Sequence, residues 1–276
     1  GLLRNPTFVG GLIAAVGISA SVFSLLTYLV IYVQNVLGFS AVGAGVRFLF
    51  LSGMSFVSAI IAGRLTSHVP TKWLIAPGFF VTAAGLWLIG GITPESRWTH
   101  LIPGLIVSGL GIGLVNVPLA STAVGVVRPE RSGMASGVSS TFRQVGIATG
   151  IAALGSIFST HVGSGIRDAL AGTPAASRAP QVADAVTNGQ ISAVLAHAPA
   201  SARQVIGQAA TSSFVDALNH ITTIAAVIAL VAGVCCLFLI RARDFVDHQG
   251  PASRDAGKPK GGKHRASPKR AAVLTR

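Results

Sequence analysis

The chain has 276 residues, 51% of them hydrophobic and only 11% charged, with a net charge of +13 and a mean hydropathy of +0.66. Soluble domains carry about 25% charged residues, so this composition cannot clothe a water-facing surface, and its apolar content excludes a disordered polymer. Cys235 and Cys236 are the only cysteines, which excludes a disulfide framework and a four-cysteine zinc site. What remains is an all-α integral membrane protein.

A helix needs about 20 mostly apolar residues to cross the hydrocarbon core. Six segments meet that requirement: residues 9–33, 41–65, 73–92, 101–127, 133–158 and 221–240. Residues 1–158 then hold five spans, 159–219 an extracytoplasmic segment, 220–241 the last span and 242–276 a tail. Helices in lipid associate through close packing at small residues, so the spacing of Gly, Ser and Thr marks interior faces.

In the first span Gly17, Ser21, Ser24 and Tyr28 recur at intervals of 4, 3 and 4, which puts them on one helical face. The second offers Arg47, Met54 and Ser58; the third is plain. In the fourth, Gly104, Ser108, Gly111, Pro118, Thr122 and Gly125 follow the helical rhythm, with Gly109, Gly113 and Asn116 alongside. The fifth has two stripes, Gly133, Gly137, Ser140 and Gln144 in one, Ser139, Arg143, Gly146 and Gly150 in the other. The sixth is again plain. This pattern predicts that the first, second, fourth and fifth spans face an interior while the third and sixth lie at the periphery. Gly109, Gly113, Pro118, Gly133, Gly137, Gly146 and Gly150 are the expected packing and kink positions.

Between the fifth and sixth spans, residues 159–219 are rich in Ala, Ser, Gly and Pro, with balanced charges. They read as a partly ordered loop, or as a loop with short amphipathic helices near 190–198 and 203–210. From residue 241 onward the chain carries ten Lys or Arg against three Asp, a net +7, and its Gly/Pro content marks a disordered basic tail. Cations in short loops orient a membrane protein. Arg4, Arg64, Lys72, Arg128 and Arg131 flank one side and a single cation, Arg97, the other, which predicts both termini in the cytoplasm. Charge placed at span ends in this way belongs to a lipid bilayer and not to a nucleic-acid groove.

Charged groups inside spans are expensive, so Arg47 and Arg143 carry information. Arg143 is read either as a cavity cation or as a structural arginine bonding a neighbouring helix, and Arg47 as a snorkelling or interior cation. Asn116, two residues before Pro118, serves an interhelical bond or a cavity contact. Ser24, Tyr28, Asn116, Ser140, Gln144, Arg47 and Arg143 are the candidate lining of a substrate pathway. All eight carboxylates fall outside the spans, and His68, His100, His161 and His220 are placed at or beyond span ends. A proton carrier for coupled transport is therefore expected outside this chain. No nucleophile–base pair or metal-ligand set reaches the membrane interior, so no enzyme, cofactor or metal is expected. Gly109-Leu-Gly-Ile-Gly113 sits within an apolar span with no preceding strand and reads as helix packing, not as a nucleotide loop. The start at Gly1, with neither Met nor a signal-peptide pattern, gives the expectation of a fragment.

The stretch Gly109-Leu-Gly-Ile-Gly-Leu-Val-Asn-Val-Pro118, then Arg128-Pro-Glu-Arg-Ser-Gly-Met-Ala-Ser-Gly137, then Phe142-Arg-Gln-Val-Gly146 and Gly150, resembles one family. It is the fourteen-helix drug:proton antiporter branch of the major facilitator superfamily. Arg4-Asn-Pro-Thr-Phe8, Tyr32-Val-Gln34, Leu37-Gly-Phe-Ser40 and Phe214-Val-Asp-Ala-Leu218 are similar to it too, so the resemblance covers residues 1–242. It implies the C-terminal six-helix half of a multidrug efflux transporter of the cell membrane, linked to an N-terminal half that carries the coupling acids. The implied cargo is a small amphipathic or cationic compound exchanged for protons. One departure stands in the second loop, where Gly63-Arg-Leu-Thr-Ser-His68 places Ser67 and His68 where the superfamily has Asp and Arg. The alternatives are an exporter of an endogenous metabolite or antibiotic, and a non-transporting truncated remnant or scaffold.

Overall fold

The computed structural model describes residues 6–127, 129–173, 175–197 and 200–240. Arg4, Arg128 and the basic tail, 242–276, lie outside the described residues. Six helical stretches are long and apolar enough to cross a membrane: Pro6–Val36, Ala41–Leu65, Lys72–Ile89, Trp98–Ala123, Pro129–Leu170 and Ala202–Leu239. In chain order the α-helices are α1 (Pro6–Ile18), α2 (Ser24–Ile31), α3 (Ala41–Leu65), α4 (Lys72–Ile89), α5 (Leu101–Gly125), α6 (Ser132–Leu170), α7 (Ala179–Thr187), α8 (Ile191–His197) and α9 (Ala200–Leu239). The described residues contain no β-strand.

α5 is the strut of the bundle because glycines let its backbone touch neighbours on two sides. A Cβ added to Gly109 would strike the Leu51 carbonyl oxygen of α3, and one on Gly113 would strike the Ser55 carbonyl and come within 2.7 Å of the Ser58 Cβ. On the other side Gly104 and Gly111 close onto Ile89 and Thr82 of α4, which answers with its own glycines, Gly78 and Gly85. The Ser58 hydroxyl then donates to the Leu110 carbonyl at 2.6 Å, fastening α3 to α5 where the backbones are nearest. Gly146 and Gly150 of α6 do the same service against Val16 and Ala20 of the first span. Gly133 and Gly137 do not: nothing lies within 4 Å of a Cβ at either position. Their expected packing role is corrected within this chain, because both lie on the exposed side of α6, whereas Ala135 on its other side packs with Phe8, Leu12, Val126 and Val127.

The first span is not one regular helix. Wide π-helical turns at Ser19–Phe23 and Tyr32–Val36 interrupt it. Each inserted residue rotates the remainder of the span by roughly 100°. Gly17 accordingly meets Ala232 and Phe79, whereas a Cβ at Gly150 of α6 would meet the Ser24 hydroxyl. The single face expected for Gly17, Ser21, Ser24 and Tyr28 is thus split between two sets of neighbours.

Two helices are far longer than their apolar content implies. α6 has 39 residues and α9 has 40; at 1.5 Å per residue each runs about 60 Å, twice a hydrocarbon core of about 30 Å. The segment expected as a loop is therefore largely helical: α6 continues to Leu170, α9 begins at Ala200, and α7 and α8 pack between. The reason is a buried stripe at every fourth residue, Leu154, Phe158, Val162, Ile166 and Leu170, that outlasts the apolar run and meets Ile206, Ala210 and Phe214 of α9. Tyr28, Phe158 and Phe214 join α2, α6 and α9 at the base of this extension, with successive ring centroids 5.0 Å apart. Between α7 and α8, Gly189 (φ +72°) turns the chain so tightly against Asn35 and Ile31 that a side chain there would be strained and crowded. Asn219 of α9 pins the end of α4, donating from Nδ2 to the Ile92 carbonyl at 2.7 Å and accepting from the Ile92 N–H at 3.0 Å.

Enclosure is uneven. The first span is the most buried of the six, while α3 and α6 are the least. Within this chain α4, the third span, is more enclosed than either, because its glycines draw it against α5. Substituting Gly113→Leu drives four carbons into the α3 backbone and is expected to destabilise the bundle by about 1–3 kcal/mol or more. Gly137→Leu enters open space and is expected to be near neutral, a contrast read from unfolding midpoints of the two full-chain variants in detergent.

Candidate functional site

A side-chain hydrogen bond between α5 and α6 joins two of the expected site residues. The Arg143 guanidinium, half-buried on α6, donates to Oδ1 of Asn116 on α5 at 3.0 Å. Asn116 stands just before Pro118, whose ring lacks a donor for the Leu114 carbonyl and loosens α5 at this level. Ser121 and Thr122 turn their hydroxyls back onto the Pro118 carbonyl, each at 2.8 Å, and seal the next turn. Arg143 has no acidic partner here. The described carboxylates, Glu95, Glu130, Asp168, Asp184 and Asp216, are all exposed, so the charge in the span is met by an amide dipole alone. A guanidinium has five N–H donors. Those beyond the Asn116 bond suit an acceptor-bearing molecule or a carboxylate brought from outside.

Ser140 and Gln144 lie one helical turn apart on the exposed side of α6, flanking Arg143 in sequence. Gly133 and Gly137 continue the same small, uncovered stripe. Ser24 and Tyr28 are placed differently. Ser24 is fully buried and Tyr28 is 8% exposed; their hydroxyls approach the Ile147 and Ile151 carbonyls of α6 at 3.4 and 3.5 Å. In this structure they hold α2 against α6 and do not line an open space. Arg47 is separate from this group. Its guanidinium carbon sits 3.4 Å from the Phe39 ring centroid and 4.8 Å from that of Trp98, while its Nη1 donates to the Gly43 carbonyl at 2.8 Å. It bolts the turn before α3 to the turn before α5. The sequence offered no signal for Phe39, and Trp98 only the general enrichment of Trp at membrane boundaries.

His161 and His220 also depart from expectation. Placed at span ends by hydropathy, they lie well inside α6 and α9 because those helices are long, and their rings stack at 4.0 Å with both side chains exposed. Among the described residues no three metal-ligating side chains cluster. A wholly apolar crevice of about 470 Å³ opens between the first span and α9, walled by Ile13, Val16, Phe142, Val227 and Val231.

Six long apolar helices held by glycine contacts, with a half-buried arginine and exposed polar groups on an uncovered face, define a multi-pass membrane bundle. The family description Major Facilitator Superfamily matches residues 1–151, more than half of the sequence, and the chain belongs to that superfamily. It is 37% identical over 153 residues to the puromycin resistance protein pur8 of Streptomyces alboniger, covering 54% of this chain and 30% of that one. The tetracenomycin C resistance and export protein of Streptomyces glaucescens is 28% identical over 244 residues, covering 87% and 45%. The cephamycin export protein CmcT of Amycolatopsis lactamdurans is 36% identical over 156 residues, covering 55% and 32%. The chain thus spans less than half the length of these curated relatives. The fold matches the inward-facing, unoccupied crystal structure of a bacterial homolog to the human lysosomal transporter Spinster, with a TM-score of 0.67 and 16% identity, covering 90% of this chain and 50% of that one.

Arg47→Ala removes two cation–π contacts at a partly desolvated position, and is expected to lower stability by about 2 kcal/mol. Arg47→Lys, with a smaller and more strongly hydrated cation, is expected to fall between, as measured by denaturation of the detergent-solubilised chain.

Proposed function

We propose that this chain is the C-terminal six-helix half of a drug exporter of the fourteen-helix branch. It works by drug:proton antiport, with alternating access produced by rocking of the two halves around a site between them. The observation that carries the reading is Arg143: a guanidinium within a span, steadied by Asn116, beside Ser140 and Gln144 on a face that none of the described residues covers. Such a face fits a wall shared with a second bundle. Coverage of 30% to 45% of the curated relatives supports the half-transporter assignment, and the printed names of those relatives support drug or antibiotic cargo. The exposure of every described carboxylate supports a proton carrier in the other half. Both termini face the cytoplasm in this proposal, following the loop cations.

Within that scheme Arg143 presents donors to an acceptor group on the cargo or to an acid of the opposite half, and Asn116 sets its rotamer. Ser24 and Tyr28 act through α6, by holding the helix that carries Arg143, and Gln144 and Ser140 meet cargo directly. A second reading keeps the transporter and changes the cargo to an antibiotic made by the host cell. Relatives named for the export of cephamycin and tetracenomycin C favour it; intracellular accumulation of a host product in deletion cells distinguishes the two.

In the complete transporter, Arg143→Ala is expected to abolish resistance at normal membrane abundance. Asn116→Ala, which deletes one hydrogen bond to a charged group worth about 1.5–3 kcal/mol, is expected to weaken transport by roughly tenfold or more. Both are measured as drug efflux from loaded cells, and unchanged efflux in Arg143→Ala would remove that residue from the mechanism.

A further inference from the structure

Where α6 outlasts the apolar layer, its edge and α7 border a pocket of about 520 Å³, within the range of about 300–1,000 Å³ that holds small ligands. Its floor is Gly163. A glycine inside a helix is costly and needs a reason. Gly155 and Gly165, on either side of it in sequence, have one: a Cβ there would strike the Tyr28 hydroxyl in the first case and come within 2.8 Å of the Ser213 hydroxyl in the second. A Cβ on Gly163 would meet nothing but the Arg167 guanidinium, at 3.9 Å. Here the missing side chain opens space instead of closing a contact.

The two walls of this space differ in charge. Arg167 supplies the α6 wall. Its Nε is committed to the Gly163 carbonyl at 3.0 Å, which lays the guanidinium along its own helix and leaves the hydrogens of Nη1 and Nη2 to point elsewhere. The α7 wall carries Asp184, whose carboxylate has no hydrogen-bond or ion-pair partner among the described residues, Arg167 included. Asn188, one turn on, donates from Nδ2 to the Asp184 carbonyl at 2.8 Å, so its Oδ1 is left as an acceptor. Both stand at the carbonyl end of α7, where a helix favours a cation. The hydroxyls of Ser159, Thr160 and Thr187 donate to carbonyls of their own helices, at 3.1, 2.8 and 2.9 Å, so toward the pocket they too can only accept. One wall therefore donates with a positive charge, and the other accepts with a negative one.

We propose that this pocket binds a small zwitterion of dipeptide size, its ammonium on Asp184 and Asn188 and its carboxylate on the terminal nitrogens of Arg167. A purely cationic ligand would be repelled by Arg167, and a purely anionic one by Asp184. A molecule carrying both charges satisfies the two walls at once, with charge-assisted hydrogen bonds at each end. Pro180 and Ala183 complete the lining with a small apolar surface for short aliphatic side chains. The pocket shares no residue with the Arg143 cluster and is independent of the transport reading.

The test titrates the full chain in neutral detergent with alanyl-alanine, N-acetyl-alanyl-alanine, alanyl-alanine amide and alanine, read by isothermal calorimetry. Saturable binding of alanyl-alanine is expected, weakened about tenfold or more by either blocking group, because each removes one charge-assisted pair. Arg167→Gln and Asp184→Asn are expected to weaken it by a similar factor, and Gly163→Leu, which fills the floor, to abolish it. Arg167 and Asp184 are exposed, so these two variants keep the fold, which their thermal midpoints check. Absence of saturable binding, equal binding of blocked and unblocked peptides, or full binding in Arg167→Gln and Asp184→Asn would overturn the proposal. Tighter binding of alanine than of alanyl-alanine would overturn the peptide assignment in favour of a free amino acid.

Discussion

A bilayer removes the force that assembles soluble helices, because lipid tails are as apolar as leucine. What can still join two helices is dispersion at very short range, and that demands backbones without intervening side chains. The fold rests on this demand, met most fully by α5. Gly109 and Gly113 admit α3 on one side, and Gly104 and Gly111 admit α4 on the other. Hydroxyl groups accompany the glycines, as Ser58 does in donating to the Leu110 carbonyl, because a side-chain donor in lipid has few other partners. The first span repeats the device against α6 and α9. Its π turns then let a single stretch of helix present Gly17 to α9 and Ser24 to α6.

Uneven enclosure results from where the close contacts fall. α5 and the first span are contacted on several sides, whereas α3 and α6 each commit one narrow edge and leave the remainder uncovered. On α3 the uncovered surface is apolar and suits lipid or an apolar partner. On α6 it carries Ser140, Gln144 and the small glycines, with Arg143 at its margin. The arginine is tolerated because Asn116 supplies an acceptor beside the weakened Pro118 turn, and because its side chain is only half-buried. The same bilayer that forbids loose packing makes this one polar cluster conspicuous.

Beyond the apolar layer the constraint changes. Once α6 and α9 leave lipid, water again drives apolar side chains together, and the stripe of Val162, Ile166 and Leu170 packs under α7 with the partners a soluble helix would choose. The aromatic triad of Tyr28, Phe158 and Phe214 marks the change from one regime to the other. It ties the first span to both long helices.

Composition and hydropathy alone determined the class, the number of spans and, for α3, both of its ends, because twenty apolar residues have no other stable use. Small-residue spacing also identified Gly109, Gly113, Gly146 and Gly150 as contact points. It erred at Gly133 and Gly137, since spacing says which residues share a face but not whether a neighbour reaches it. Mean hydropathy ended α6 and α9 too early. Their extensions are amphipathic, visible only as a period, and the partners that bury the period lie far away in sequence. The Arg143–Asn116 bond and the Phe39–Arg47–Trp98 stack were decided by tertiary structure, because each joins residues from different helices or turns, and one-dimensional spacing carries no information on which helices become neighbours.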